Sequence, residues 1–166
     1  VSFPEAPTIK DSNQATPDVI ESAPTAEETI SGPSEYEVMR TNSIAKKNRA
    51  IQTKLEKVIS YTKQTMVAYM SEEDLNRLCT YVAEYSSGDT LQKITPVKVD
   101  SQLKSIDIMH FGWNIGKAFG IKRIHTATFI KNVFAHTLRD LEISTIERKM
   151  SHTESECYIK LQQLKE

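Results

Sequence analysis

The chain has 166 residues, 39% of them hydrophobic and 26% charged, and its formal net charge is −1. This length predicts one folded domain with or without appended segments. No apolar run approaches the ~20 residues that cross a bilayer, and the first residues lack the charged-then-apolar order of a signal peptide, which argues against a membrane or secreted protein.

Residues 1–34 differ in composition from the rest of the chain. They hold five of the six prolines among Ser, Thr, Glu and Asp, without a hydrophobic period. We predict a disordered, acidic, Pro/Ser/Thr-rich tail here, because so little apolar area cannot offset the entropy of ordering. The chain begins with Val1, so we also expect that it is a processed product or a fragment.

The charge is divided unevenly along the chain. Residues 1–37 hold eight acids and one base, whereas the remaining residues hold 20 bases and 14 acids. Such polarity favours a phosphate-binding surface for which an acidic tail competes, or it simply keeps both parts soluble.

A long basic amphipathic helix is predicted over residues 35–70. Ile44, Ile51, Val58 and Thr65 recur at seven-residue intervals, and no Gly or Pro interrupts the stretch. The stripe is polar at half of its positions, so a helix lying along its own domain competes with a dimeric coiled coil. One face carries seven bases, which also fits an ordinary solvated surface: Arg40, Lys46, Lys47, Arg49, Lys54, Lys57 and Lys63.

Residues 71–166 are predicted to form a compact helical domain. Ser71, followed by three acids, is typical of a helix N-cap. That helix is expected to end near Gly88. A second helix is predicted from the N-cap Ser105 through Phe119, with Gly120 past its end.

Two further helices and two short strands complete the predicted domain. One helix opens at Thr126, and the Ser144–Glu147 pattern matches the capping box of another. Residues 95–99 and 157–161 alternate in polarity and predict two strands that pair. The fold class is therefore all-α with at most a small two-stranded sheet, and the C-terminal part follows the outline of a helix-turn-helix or winged-helix domain.

Three glycines recur at intervals of four, two of them inside the helix predicted after Ser105 and the third, Gly120, past its end. Gly112 and Gly116 each cost about 0.8 to 1 kcal/mol relative to Ala in a helix interior, so another interaction must offset them. A bare groove accepts another backbone, which favours a closely crossing helix. Backbone contact to a ligand and a discontinuous helix are the alternatives.

The sequence contains no recognisable catalytic machinery. The segment Gly112–Ala118 has three residues between its glycines and no hydroxyl after Lys117, so it does not match a phosphate loop. The four histidines have no metal-ligand spacing, and the two cysteines, Cys79 and Cys157, form no CxxC pair. We therefore predict no enzyme activity, no cofactor and no metal site. The cysteine content favours reduced thiols in the cytoplasm, and a single disulfide between the two cysteines is the alternative.

The predicted function is non-enzymatic DNA binding by an accessory or regulatory factor. Thr128, Lys131, Asn132, Ala135 and Arg139 are expected to share one small, basic helical face. Two alternatives remain, a protein-interaction module that joins a partner or a second copy through the long helix, and, less favoured, a small helical enzyme. Seven residues are predicted to contact phosphates: Lys117, Lys122, Arg123, Lys131, Arg139, Arg148 and Lys149.

Overall fold

The computed structural model describes residues 32–88 and 93–164. Within them the chain forms five helices and no strand, which confirms the all-α fold class. The chain divides into two units, Val1–Lys47 and Asn48–Glu166. The predicted disordered tail lies outside the described residues, except for its last three positions. The helices are α1 (Glu35–Met66), α2 (Glu72–Ser86), α3 (Ser105–Phe119), α4 (Arg123–Val133) and α5 (Ile143–Lys149).

In the first unit, α1 begins with a capping box. This capping box was not predicted from the sequence. Ser34 Oγ accepts a hydrogen bond from the backbone N–H of Glu37 at 3.2 Å, and Glu37 Oε1 accepts one from the backbone N–H of Ser34 at 3.2 Å. The two residues thus satisfy each other's open donors. The Ser-x-x-Glu pattern is readable in the sequence, but it lies at the edge of the Pro-rich segment.

In the second unit, one face of the last turns of α1 is buried. Val58, Thr62 and Met66 are inaccessible to solvent or nearly so, and Thr62 Oγ1 donates to the Val58 carbonyl at 2.8 Å. This intrahelical bond satisfies the buried Thr62 hydroxyl. The helix ends at Met66 rather than near residue 70, because the chain turns there and the Tyr69 carbonyl accepts from Asp100 N at 2.7 Å.

The predicted start and end of α2 and the predicted end of α3 are confirmed, whereas the start of α3 differs from the prediction. Ser71 Oγ accepts from Asp74 N at 3.1 Å, as an N-cap should. Gly120 terminates α3 with φ 72°, a left-handed conformation that glycine adopts without strain. The N-cap of α3 is Lys104, not Ser105, because the Asp107 carboxylate accepts from Lys104 N at 2.8 Å.

Two predicted helix starts were wrong. α4 begins at Arg123 rather than Thr126, which shortens the connector after α3 to residues 120–122. α5 begins at Ile143 with Glu142 as N-cap, and no side chain caps it. The predicted capping box at Ser144 does not form, because the Glu142 carbonyl accepts from Ile146 N at 3.0 Å and places the N-cap two residues earlier.

Neither predicted strand forms in the described residues. Val97 N donates to the Val133 carbonyl at 2.9 Å, which ties residues 95–99 to the end of α4. Residues 157–162 hydrogen-bond to side chains of α3 instead of to another strand. The alternation in both segments reflects one buried and one exposed side of an extended chain that packs on helices.

α3 is the most buried helix of the second unit. It packs on α4, and α4 in turn contacts α5 and α2. Phe111 of α3 lies between two rings, with Tyr61 stacked at 5.9 Å and Phe134 edge-on at 6.0 Å between centroids. No helix of the described residues has the length and apolar character needed to cross a membrane.

Candidate nucleic-acid interface

The seven predicted phosphate-binding residues fall into two groups. α4 and α5 meet as a hairpin, because Arg123 at the start of α4 contacts the carbonyls of Glu147 and Arg148 at the end of α5. This end also holds Lys117 and Lys122. Lys131 and Arg139 belong to the opposite end of the hairpin, about 12 Å along α4 from Arg123 at 1.5 Å per residue.

A basic cleft of about 360 Å³ lies where α3 ends and α4 begins. It includes three of the predicted residues, Lys117, Lys122 and Arg123, and no acid. The side chains of Lys117 and Lys122 are exposed. The other residues that line this cleft are Trp113, Gly116, Gly120, Ile121, Thr126 and Met150.

Trp113 forms one wall of the basic cleft and is flanked by two cations. Lys117 Nζ lies 5.3 Å from the centre of the indole ring, and Arg123 Cζ lies 4.9 Å from it. Both distances are within the range of cation–π attraction, which holds the positive charges at the rim. A half-buried aromatic ring beside cations is also a surface on which a planar group stacks.

Arg123 has a structural role in addition to its charge. Nη1 donates to Ser151 Oγ at 3.1 Å, and Nη2 donates to the Glu147 carbonyl and, at 3.4 Å, to the Arg148 carbonyl. These carbonyls belong to the last turn of α5, where a helix end lacks intrahelical donors and favours a cation. Arg123 therefore orients α5 and places Arg148 and Lys149, both exposed, near the basic cleft.

The structure gives Lys131 three partners within the chain. Its ammonium donates to the carbonyls of Leu138 at 2.8 Å, Arg139 at 3.1 Å and Leu141 at 2.7 Å. An ammonium has three N–H donors, so none is left for a phosphate. Lys131 clamps the loop between α4 and α5.

The basic face that was predicted for the helix at Thr126, which is α4, does not form one continuous surface. α4 ends at Val133, so Ala135 and Arg139 lie beyond it in the loop. Thr128 Oγ1 donates to the Ile124 carbonyl at 2.9 Å. The helical period continues in the sequence past Phe134, but the φ of −107° and ψ of 44° at this residue lie outside the helical region.

The glycines of α3 are explained by close packing against α4. A Cβ on Gly112 would lie 2.9 Å from two carbons of Ile130, and a Cβ on Gly116 would lie 2.6 Å from Thr126 Oγ1. Both glycines are buried. This confirms a closely crossing helix as the reason for the glycine row.

A buried hydroxyl pair adjoins Gly116. Tyr85 of α2 and Thr126 of α4 lie 2.5 Å apart through their hydroxyl oxygens, and Thr126 Oγ1 also donates to the Lys122 carbonyl at 3.2 Å. Burial raises the pKa of Tyr85 to about 12, and the bond to Thr126 opposes this rise only in part. The Tyr85 ring stacks on Phe129 at 4.2 Å, so this contact joins α2 to α4 behind the basic cleft.

A buried polar row on α3 holds the last segment of the chain, and sequence reasoning missed it. Asp107, His110 and Asn114 are at most 1% exposed. The Asp107 carboxylate accepts from Tyr158 N at 2.6 Å and from Ile159 N at 3.0 Å.

The other two members of this row also bond to the backbone. Asn114 Oδ1 accepts from Gln162 N at 2.8 Å, and its Nδ2 donates to the Lys160 carbonyl at 2.9 Å. The ring nitrogens of His110 lie 2.8 Å from the Ile159 carbonyl and 2.6 Å from the His152 carbonyl. The available signal was three polar residues at i, i+3 and i+7 on an otherwise apolar helix.

No group that could hold a metal ion is present in the described part of the chain, since no three His, Cys, Asp or Glu side chains come together there. Cys79 and Cys157 are both free thiols. Comparisons of the chain with protein-family models, with curated proteins and with solved structures found no match.

Proposed function

We propose that the protein is a non-enzymatic DNA-binding accessory or regulatory factor, and that its basic cleft contacts the phosphate backbone. The observation that carries the proposal is that three cations and no acid line the basic cleft. Cations that neutralise phosphates release condensed counterions, which supplies most of the affinity of such contacts. A cytoplasmic location fits this role and the two free thiols.

The proposed contact residues are fewer than the seven predicted from sequence. Lys117 and Lys122 are exposed at the basic cleft, and Arg148 and Lys149 are exposed at the adjoining end of α5. Arg123 mainly positions α5 and Trp113. Lys131 and Arg139 are left out of the proposed interface, because one is bonded within the loop and the other lies at the far end of the hairpin.

A helix-turn-helix mode of docking is the more specific form of this proposal. α3 and α4 are joined by only three residues, 120–122, and in such motifs the first residues of the second helix contact base edges. Ile124 is 40% exposed and His125 is exposed on the first turn of α4. We therefore expect His125→Ala to alter preference between DNA sequences without changing the salt dependence of binding.

The test of the proposal is a salt series with duplex DNA. If Lys117 and Lys122 both meet phosphates, the double variant Lys117→Glu/Lys122→Glu should flatten the slope of log affinity against log salt by about 2. Arg139→Glu is the matched control and should change the slope little, since Arg139 is exposed but remote from the basic cleft. Equal effects of both variants, or no measurable binding at ~50 mM salt, would reject the proposed interface.

A second candidate function is a protein-interaction module that uses α1. The specific observation is the exposure of large apolar side chains on this helix, among them Tyr36 at 68%, Met39 at 58% and Ile51 at 58%. Exposed apolar groups of this size on a helix mark contact surfaces when they cluster. Sedimentation of the chain and of an Ile51→Glu variant tests whether this helix joins a second copy.

A further inference from the structure

Two of the exposed apolar side chains of α1 continue the heptad register of its buried end, whereas Tyr36, Val38 and Met39 lie outside it. Ile44, Ile51 and Val58 occupy the same heptad position, counted on the sequence. Val58 is 1% exposed, whereas Ile44 is 44% exposed and Ile51 is 58% exposed. These three residues define a seam along α1. The protein's own core covers the seam at Val58, whereas Ile44 and Ile51 are exposed to solvent.

The partner position of this seam mixes polar and apolar residues. If Ile44 and Ile51 take position d, then Asn48 and Leu55 take position a. Asn48 is exposed and Leu55 is half-buried. An Asn at position a lowers the affinity of helix pairing but specifies register and partner, because its amide needs a polar counterpart across the seam.

The positions that flank the seam carry positive charge on one side only. Position g is basic in each heptad, with Arg40, Lys47 and Lys54, and position e holds Ala45 and Gln52. In parallel helix pairs, g of one helix faces e of the other, and in antiparallel pairs g faces g. A second copy would therefore offer no acid to these bases, and in the antiparallel arrangement it would place base against base.

We propose that α1 binds, over residues 40–55, an acidic amphipathic helix of a different protein. The partner helix carries an apolar seam for Ile44 and Ile51 and acids at the positions that face Lys47 and Lys54. Charge complementarity selects this partner over a second copy. The inference rests on the second candidate function and is independent of DNA binding through the basic cleft.

A designed helix provides the probe for this inference. The full chain is titrated with a labelled peptide that repeats heptads with Leu and Ile at the seam, Asn opposite Asn48 and Glu at the flanking e positions. A control peptide carries Lys at those e positions. We expect the acidic peptide to bind at least about tenfold more tightly than the basic one, because charges at e and g set partner choice.

Charge reversal on α1 separates recognition from folding. Lys47→Glu should reduce affinity for the acidic peptide and raise it for the basic peptide, which narrows the preference. Lys46→Glu is the matched control, because Lys46 is also exposed but lies at position f, away from the seam. A purely structural effect would weaken the binding of both peptides alike, whereas changes of opposite sign require direct pairing.

Three results would overturn the inference. A dimer of the full chain that Ile51→Glu dissociates would show that a second copy occupies the seam, which keeps the second candidate function. A monomer that binds neither peptide would reject this inference and the second candidate together. Loss of duplex DNA affinity in Lys47→Glu but not in the Lys117→Glu/Lys122→Glu variant would make α1 the polyanion surface.

Discussion

At the scale of single residues, the side chains that matter most are those that touch another element's backbone or leave room for it. Lys131 bonds three carbonyls of one loop, and Arg123 bonds two carbonyls at the end of α5. Both were predicted as phosphate ligands because a basic residue on a helix is usually solvated. Charge alone does not reveal whether a loop returns to the ammonium or guanidinium.

Gly116 provides a test of the helix crossing. Gly116→Ala should destabilise the protein by about 1 to 3 kcal/mol, although Ala is the better helix former by nearly 1 kcal/mol. The reason is that the new methyl group would lie 2.6 Å from Thr126 Oγ1. Urea unfolding measures the loss.

The Thr126→Ala background is the control for this overlap. There the opposing hydroxyl and methyl are gone, so adding Gly116→Ala should cost much less, and the two changes should be strongly coupled. Additive effects would mean that the glycine is needed for another reason.

Tyr85 makes the protein sensitive to alkaline pH. Its pKa is raised from 10.0 to about 12, so the folded state keeps the phenol proton where the unfolded chain releases it. The stability contributed by this group is therefore complete below pH 10 and is lost as pH rises through about 12. Tyr85→Phe should cost roughly 1 kcal/mol near neutral pH, through the lost bond to Thr126, and less as pH rises above 10.

Unfolding in urea at pH 8, 10 and 11 measures this difference. Tyr36→Phe is the control for removal of a tyrosine hydroxyl, because Tyr36 is exposed on α1. A Tyr85→Phe deficit that is constant across this range would contradict the assigned proton linkage.

At the scale of elements, α3 combines two different packing surfaces. One side is bare at Gly112 and Gly116 and admits α4, and another side carries the row Asp107, His110 and Asn114. This polar row supplies the hydrogen bonds that a neighbouring strand would supply in a sheet. The last segment is consequently extended without being part of a sheet.

Asn114 tests whether the polar row holds this segment in place. Asn114→Leu should destabilise the protein by about 2 to 4 kcal/mol, because Gln162 N and the Lys160 carbonyl lose their partner. Hydrogen exchange should show lost protection at Gln162 first. The exposed Asn76→Leu on α2 is the control, and unchanged exchange at residues 158–162 in the Asn114 variant would show that other contacts hold the segment.

At the scale of the whole molecule, charge is separated along the chain. Residues 1–31 hold six acids and one base, whereas the basic cleft includes three cations and no acid. If the acidic segment competes with DNA for this cleft, its removal should raise affinity several-fold at low salt. The effect should fade above ~0.15 M salt, where charges more than about 8 Å apart are screened.

Deleting residues 1–31 and measuring duplex DNA affinity checks this competition. A full-length variant with Gln and Asn in place of the six acids keeps the chain length and should behave like the deletion. The thermal midpoint should stay nearly unchanged in both, because the segment has no hydrophobic period. Equal DNA affinities for the unaltered chain and both variants would show that residues 1–31 do not compete with DNA for the basic cleft.

The sequence by itself determined the features that depend on near neighbours. The all-α class, the cap at Ser71, the end of α3 at Gly120 and the crossing at Gly116 all follow from local capping, periodicity and steric rules. The predicted starts of α4 and α5 were three and two residues too late, because no side chain caps either helix.

Only the tertiary structure decided the features that join distant residues. The backbone partners of Asn114 lie 46 and 48 residues away in sequence, and the hydrogen-bond partners of Arg123 lie 24 to 28 residues away. Alternating polarity in residues 157–161 is the same for a strand in a sheet and for a segment bonded to a helix. Which of the seven bases gather at the basic cleft likewise depends on how α4 and α5 pair, because hydrogen-bond partners this far apart leave no local pattern.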